Sequence, residues 1–255
     1  MNVFLDMCYM FLMGGVIGYG IEVLFRRFVS AKKWINPGFL HGPFLPLYGF
    51  GLLLLFGICS IDFHIENTGL SIFVTLITMC VGMTLIEYIA GIIFIHGLHI
   101  RLWDYSNMKG NVKGIICPAF STLWIIGGAV YYFVLHDIFR FLLDLFVENA
   151  FYLSFPLGIC FGILLIDIVI SSQAATKLGK LAKNSKIIVS YEQYKIERSA
   201  ARKRNKEKFT FFNSTYPQIK QFIDSYKEKS KNLVGKIIYI DPTEEKVKRK
   251  KTPEK

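Results

Sequence analysis

The sequence predicts an all-α membrane protein, a polytopic bundle of transmembrane helices followed by a basic cytoplasmic tail. Hydrophobic residues make up 53% of the 255 residues even with the 21 glycines left out, whereas soluble domains reach about 45–50% only when glycine is counted. The charge is divided unevenly, because residues 1–172 carry a net charge of −2 and residues 173–255 carry +13. These values exclude an ordinary soluble domain, a disordered chain, a collagen-like chain and a small disulfide scaffold.

Five apolar stretches are long enough, or nearly long enough, to cross a bilayer core of about 30 Å, which takes about 20 residues of helix. They are Val3–Phe25, Phe44–Ile61, Leu70–Ile95, Ile115–Leu135 and Phe151–Ser172. We interpret the first as a retained pass rather than a signal peptide, because Asp6 stands where a basic residue is usual and no small-residue cleavage site follows. The second is the shortest, and prolines near its start cost a helix little there.

Basic residues in the loops predict the orientation, since cytoplasmic loops are enriched in Lys and Arg. The four loops between the passes hold four, none, three and one of these residues, and the region after the fifth pass holds 22. This alternation predicts that the N-terminus lies outside and that both basic loops and the tail are cytoplasmic. The fourth loop, His136–Ala150, also contains an amphipathic helix, which we expect to lie in the outer interface or to extend the fourth pass.

The tail, residues 173–255, combines a predicted juxtamembrane helix around 177–183 with basic runs at 201–208 and 246–251. We expect a solvated, partly disordered segment held near anionic membrane lipid, at about 1 kcal/mol per basic residue close to the surface. Nucleic-acid binding is disfavoured, because the sequence has no RNP-type, helix-turn-helix or zinc pattern.

Three acids lie within or at the ends of predicted passes, namely Glu22, Glu87 and Asp167. An ionisable group at membrane depth costs at least about 2.5–3.5 kcal/mol, so each is a candidate substrate-binding or ion-binding residue. With the predicted orientation, all three fall in the cytoplasmic half of their helices. We expect Glu87, the deepest, to bind a cation or exchange a proton, with Glu22 and Arg101 setting its charge state.

Each acid also has a structural explanation, in which it pairs with a neighbouring side chain along one helix or between helices. The partners considered are Arg26 for Glu22, the polar interface near Ser171 for Asp167, and Arg101 or Tyr48 for Glu87.

The two basic loops, residues 26–43 and 96–114, are rich in turn-forming and aromatic residues, which is not typical of flexible linkers. We expect the first to fold back against the bundle, because irregular backbone at membrane depth must be covered by protein or by a water-filled cavity. Its motif residues are Asn36, Pro37, Gly38, Gly42, Pro43 and Tyr48. Those of the second loop are Trp103, Tyr105, Ser106 and Asn111, with Arg101 and Asp104 as a possible i,i+3 pair and Asp104 or Ser106 as a cap for whatever element follows.

Other chemistry has little support in the sequence. The cysteines are isolated, the histidines form no HExxH pair, and no P-loop for ATP is present, so nothing points to a cofactor and any coupling to ATP needs a separate ATP-binding subunit. Metal binding through Glu22, Glu87 and Asp167 stays open. Catalysis at lipid head groups by Asp104, His41 and Glu87 is a further alternative, although no nucleophile–base arrangement is recognisable.

Four groups of residues form a distinctive combination over about 14–124. They are Gly18-x-x-x-Glu22; the block Asn36-Pro37-Gly38-Phe39-Leu40-x-Gly42-Pro43-x-x-Pro46-x-Tyr48-Gly49; Glu87-Tyr88; and Arg101-x-Trp103-Asp104-Tyr105-Ser106 with Asn111 and Gly114. This combination resembles the bacterial family described as putative ABC-transporter type IV permeases. The resemblance implies a polytopic protein of the bacterial inner membrane and specifies no substrate. The family pattern has a further acid before the Arg101 block, where this chain has Ile95, so a proton or cation step using that acid would be absent.

We therefore expect a permease-like transport component with a cytoplasm-facing polar site. A homo-oligomer or a partner subunit is expected as well, since five helices enclose little volume. The alternative is a non-catalytic membrane scaffold or sensor whose basic tail recruits a partner. An enzyme that modifies lipids comes third.

Overall fold

The structure, a computed structural model, describes residues 2–30, 32, 34–185, 188–197 and 224–225. It is mostly helical, as predicted. The helices are α1 Val3–Phe25, α2 Pro46–Cys59, α3 Thr68–Ile92, α4 Pro118–Val130, α5 His136–Glu148 and α6 Ala150–Asn184. Three π-helical segments extend α1 (Arg26–Ser30), extend α3 (Ile93–Gly97) and join α4 to α5 (Tyr131–Leu135).

Four continuous helices of the described chain are long and apolar enough to cross a membrane, namely Val3–Val29, Thr68–Gly97, Pro118–Glu148 and Ala150–Asn184. The amphipathic helix α5 therefore extends the fourth predicted pass without a break. The predicted second pass is represented by α2, which has only 14 residues and spans about 21 Å at 1.5 Å per residue. The helices thus confirm a membrane-type architecture with four candidate spans and one shorter apolar helix.

Prolines determine where two of the helices begin. Pro46 and Pro118 occupy the first turns of α2 and α4, where the missing N–H group would have had no helical partner. Pro156 lies inside α6 without ending it, which transmembrane helices tolerate when the freed backbone groups find other partners.

The chain divides into two compact units, residues 1–91 with 104–169 and residues 92–103 with 170–255. In the second unit, strand β1 (Ile100–Arg101) pairs in parallel with strand β2 (Val189–Ser190), a small departure from the predicted all-α fold. The predicted domain boundary at residue 172 falls inside α6.

The described part of the second unit is packed rather than open. Leu178 on α6, Val189 on β2 and Tyr194 in the helical segment 191–197 are all buried. The predicted juxtamembrane helix is present as the end of α6. The basic runs at 201–208 and 246–251 lie outside the described residues.

The packing of α1 on α2 depends on glycines of α1. Gly14, Gly15 and Gly18 are buried, and a Cβ atom at any of them would collide with α2 or with the segment before it. Gly15 faces the Phe44 ring and Gly18 faces the Tyr48 ring. Small residues allow close approach of helices in membranes, where association depends on packing. The position of Tyr48 therefore depends on the absence of a side chain at Gly18.

A cluster of apolar side chains joins α1, α2, α3 and α5 in the first unit. Its buried members are Met10, Leu52, Ile58, Met79, Tyr131 and Phe139. The rings of Tyr9 and Phe146 stack at 4.4 Å and attach α5 to α1. Many large apolar side chains on α1, α3, α4 and α6 are exposed, as expected for surfaces that face acyl chains.

Gly18→Ala is expected to destabilise the fold by about 1–3 kcal/mol, because its Cβ would overlap the Tyr48 ring in a packed interface. Gly20→Ala is the matched control, since it lies on the same helix and nothing is within 4 Å of a Cβ at that position. The midpoint of thermal unfolding of the purified protein in detergent measures both variants. Equal midpoints would contradict this packing of α1 on α2.

Candidate functional site

Glu87 is a buried carboxylate on α3, with an exposed fraction of only 5%. Its Oε1 atom accepts a hydrogen bond from the Tyr105 hydroxyl at 3.0 Å, and its Oε2 atom accepts one from the indole Nε1 of Trp124 at 3.1 Å. Both donors are neutral, and in the described part of the chain no Lys or Arg forms an ion pair with Glu87. The hydrogen-bond donors to Glu87 are thus Tyr105 and Trp124, and not Tyr48, the donor considered from the sequence.

Glu22 lies near the end of α1 and has a different set of partners. The Arg26 Nε donates to Oε1 at 3.1 Å, which is the expected i,i+4 pair, and the Tyr48 hydroxyl donates to Oε2 at 3.0 Å. Glu22 is therefore a carboxylate whose charge is compensated by an adjacent guanidinium, whereas Glu87 receives only neutral donors.

The two carboxylates are connected through aromatic rings. Tyr48 and Trp124 meet edge to face, with ring centroids 6.2 Å apart. The hydroxyl of the first ring binds Glu22 and the indole of the second binds Glu87. The resulting assembly, called the two-carboxylate network below, consists of Arg26, Glu22, Tyr48, Trp124, Glu87 and Tyr105. Its net charge is −1 when both carboxylates are ionised.

Tyr105 is held in place by a loop between β1 and α4. The Tyr105 backbone N–H donates to the Gly114 carbonyl at 2.9 Å, and its ring stacks on Phe120 with centroids 4.4 Å apart. Burial raises the pKa of the Tyr105 hydroxyl well above its usual range, and the negative charges of Glu87 and Glu22 raise it further. Tyr105 therefore stays protonated and acts as a permanent donor to Glu87.

Asp104, Ser106 and Asn111 build that loop. The Asp104 Oδ1 accepts hydrogen bonds from the Ser106 N–H and hydroxyl, and the Asn111 Nδ2 donates to the Ser106 carbonyl at 3.2 Å. The Gly114 N–H in turn donates to the Asn111 Oδ1 at 2.9 Å. Asp104 therefore caps the turn that follows it, whereas α4 begins after Cys117 without a side-chain cap.

Asp167 on α6 binds the first basic loop. Its Oδ1 and Oδ2 accept hydrogen bonds from the N–H groups of His41 at 3.1 Å and Gly42 at 2.8 Å, and the His41 Nδ1 lies 3.5 Å from Oδ1. A Cβ at Gly42 would lie 3.0 Å from Oδ2, so a larger residue would disturb this contact. Asp167 thus holds the backbone of the first basic loop.

The first loop folds against the bundle, as expected. Leu40 is buried beside Phe44 and Leu164 of α6, and the Asn36 Nδ2 donates to the His41 carbonyl at 2.7 Å. Gly38 adopts a φ of +77°, which glycine takes at no steric cost. Pro37 is fully buried, while Pro43 is exposed. These motif residues shape the loop that leads into α2.

The remaining candidates belong to the second unit. Arg101 is buried on β1, where it is in register with Ser190 of β2, and Trp103 follows it.

The metal site considered from the sequence is not assembled, since within the described residues no group of three or more His, Cys, Asp or Glu side chains could hold a metal ion. Of the residues considered for lipid chemistry, Asp104 accepts from Ser106, the His41 Nδ1 lies 3.5 Å from Asp167, and Glu87 binds Tyr105 and Trp124.

Trp124 is the site residue that the sequence interpretation missed. Its indole N–H lies inside the predicted fourth pass, where water is absent and a buried Trp needs a hydrogen-bond acceptor. A carboxylate at similar depth on another pass was the available signal, and Glu87 is that acceptor.

Comparison with known proteins assigns the chain to a family. The family model described as "Putative ABC-transporter type IV" matches residues 9–172. The chain belongs to this family, and the matched range contains the whole two-carboxylate network as well as Asp167. A search of the curated proteins finds no match, and neither does a search of the solved structures.

Asp167→Asn is expected to speed amide hydrogen exchange at His41 and Gly42 about tenfold or more, because a charge-assisted hydrogen bond contributes about 1.5–3 kcal/mol. An asparagine offers only one acceptor oxygen, so one loop N–H loses its partner. Mass spectrometry of peptides covering this loop measures the exchange. Asp144→Asn, at an exposed position of α5, is the control, and unchanged exchange in Asp167→Asn would contradict the assigned role.

Proposed function

We propose that this chain is the permease-like component of a bacterial transporter, embedded in the cell membrane, with Glu87 at the centre of a cytoplasm-facing polar site that takes up one cation or one proton. Membership of the ABC-transporter type IV family supports the class of function. The observation that carries the site is the burial of Glu87 between two neutral donors.

The environment of Glu87 favours a binding role over a purely structural one. An acid that only stabilises helix packing at membrane depth is expected to have a cationic partner, as Glu22 has in Arg26. Glu87 lacks such a partner among the described residues. A positive charge that arrives from outside the chain would therefore complete this site.

The proposed topology has five passes with the N-terminus outside and the C-terminus in the cytoplasm. The loop charges support it. In it α2 is the second pass, a short one, and the folded first loop covers the start of this helix. In this orientation the end of α1 and the Tyr105 loop lie on the cytoplasmic side, which gives the two-carboxylate network access to the cytoplasm.

Partner subunits complete the proposed transporter. The sequence has no P-loop, so ATP hydrolysis requires a separate ATP-binding subunit. A second copy or another membrane subunit would enclose the translocation path. Such an ATPase is expected to co-purify with the tagged full chain from the membranes of its own host.

Glu87→Gln is expected to abolish transport-coupled ATP hydrolysis of that complex in proteoliposomes and to leave a deletion strain without complementation, because the neutral amide supplies no negative charge for a cation and cannot exchange a proton. The amount of protein in the membrane is expected to stay close to that of the unmodified chain. Glu66→Gln, at an exposed position between α2 and α3, should behave like the unmodified protein.

A second variant separates function from folding. Trp124→Phe removes one donor to Glu87 while keeping the carboxylate, so it is expected to destabilise the fold by about 1–3 kcal/mol but retain activity. Parallel loss of activity and of membrane protein in both variants would make Glu87 a structural residue and contradict the proposal.

Removal of residues 198–255 is expected to leave activity intact, since a transporter core does not need a tail beyond the described second unit. Removal of residues 173–255 is expected to lower the unfolding midpoint, because it deletes the buried Leu178 and Val189 and the strand that pairs with β1. Loss of activity in the shorter deletion, with an unchanged midpoint, would instead identify a scaffold that recruits its partner through the tail.

A further inference from the structure

A second polar contact joins α3 to α4 next to Glu87. The Thr84 hydroxyl donates to the Ser121 hydroxyl at 3.2 Å, and the Cys80 thiol donates to the Ser121 carbonyl at 3.3 Å. Thr84 precedes Glu87 by three residues, and residues three apart lie on the same face of a helix. The Thr84–Ser121 hydroxyl pair therefore lies about one turn of α3 from Glu87.

These groups keep unused acceptor capacity. A carboxylate has about four lone-pair positions, and Tyr105 and Trp124 occupy two of those on Glu87. A hydroxyl oxygen has two lone pairs, and the Thr84 hydroxyl is the donor in its contact with Ser121, so both lone pairs of its oxygen are available. Carboxylate and hydroxyl oxygens are the kind of ligand that hard cations prefer.

The charge of the site limits the cation that it can hold. The two-carboxylate network carries a net charge of −1, and Thr84 and Ser121 add none. One positive charge neutralises this assembly, whereas a divalent cation would leave an uncompensated charge in a buried environment, which is strongly unfavourable.

We propose that Glu87, Thr84 and Ser121 together bind a single monovalent alkali cation. The proposal rests on the proposed function in that it uses the same carboxylate, and it adds the hydroxyl pair as the residues that distinguish an alkali cation from a proton. A proton needs only the carboxylate, whereas an alkali cation needs several oxygen ligands at once.

The experiment uses the full chain in proteoliposomes and dicyclohexylcarbodiimide, which modifies a carboxyl group in its protonated form. The rate of modification at Glu87 is followed by peptide mass spectrometry at constant pH and ionic strength, in NaCl, KCl, MgCl2 or choline chloride. We expect Na⁺ or K⁺ to slow the modification relative to choline, and Mg²⁺ to have no specific effect.

Thr84→Val and Ser121→Ala remove the hydroxyl groups with little change in volume. Each is expected to raise the cation concentration for half-maximal protection about tenfold, the scale for losing one contact to a charged group, with protection measured relative to the same variant's rate in choline chloride. Thr78→Val is the matched control, because the Thr78 hydroxyl binds only the Val74 carbonyl of its own helix, and its protection curve should match that of the unmodified chain.

Equal modification rates in all four salts would overturn the alkali-cation site and indicate that Glu87 responds to protons alone. Stronger protection by Mg²⁺ would overturn it as well, since the charge argument would then be wrong. Protection that is unchanged in Thr84→Val and Ser121→Ala would show that the hydroxyl pair only joins the helices. The activity of Glu87→Gln is a separate readout, so the proposed transport function can fail or stand independently of these outcomes.

Discussion

A carboxylate buried at membrane depth must have its oxygen atoms satisfied by the protein, because no bulk water is available to it. Glu87 meets this requirement with two donors that come from different parts of the chain, the Tyr105 hydroxyl and the Trp124 indole. The requirement therefore determines where α4 and the loop before it lie relative to α3.

The three acids of the predicted passes differ in the chemistry of their partners. Glu22 binds a guanidinium, Asp167 binds two backbone N–H groups, and Glu87 binds two neutral side chains. Glu87 receives only neutral side-chain donors and has no Lys or Arg ion-pair partner among the described residues. The free energy needed to place an acid at membrane depth already makes each of the three acids a candidate site. The type of hydrogen-bond donor then decides which acid has unused binding capacity.

Packing and site geometry are linked through Tyr48. Its ring lies against Gly18 and meets Trp124, while its hydroxyl binds Glu22. A side chain at Gly18 would displace the ring that connects the two carboxylates, so close approach of α1 and α2 contributes to the site as well as to stability. Asn111 has a comparable role in the Tyr105 loop, where its amide bonds keep the loop in the form that presents the Tyr105 hydroxyl.

The sequence by itself determined the membrane class and the approximate helix positions, and it offered Arg26 as one possible partner of Glu22, because apolar segment length and i,i+4 spacing are local properties of the chain. It also indicated that the first loop folds back, since irregular backbone with apolar side chains at membrane depth must be covered by protein or by a water-filled cavity. Only the tertiary structure decided that Trp124 donates to Glu87, that Asp167 accepts from the N–H groups of His41 and Gly42, and that β1 pairs with β2. Those contacts join residues distant in sequence, and hydrophobic periodicity contains no information about which donor meets which acceptor across helices.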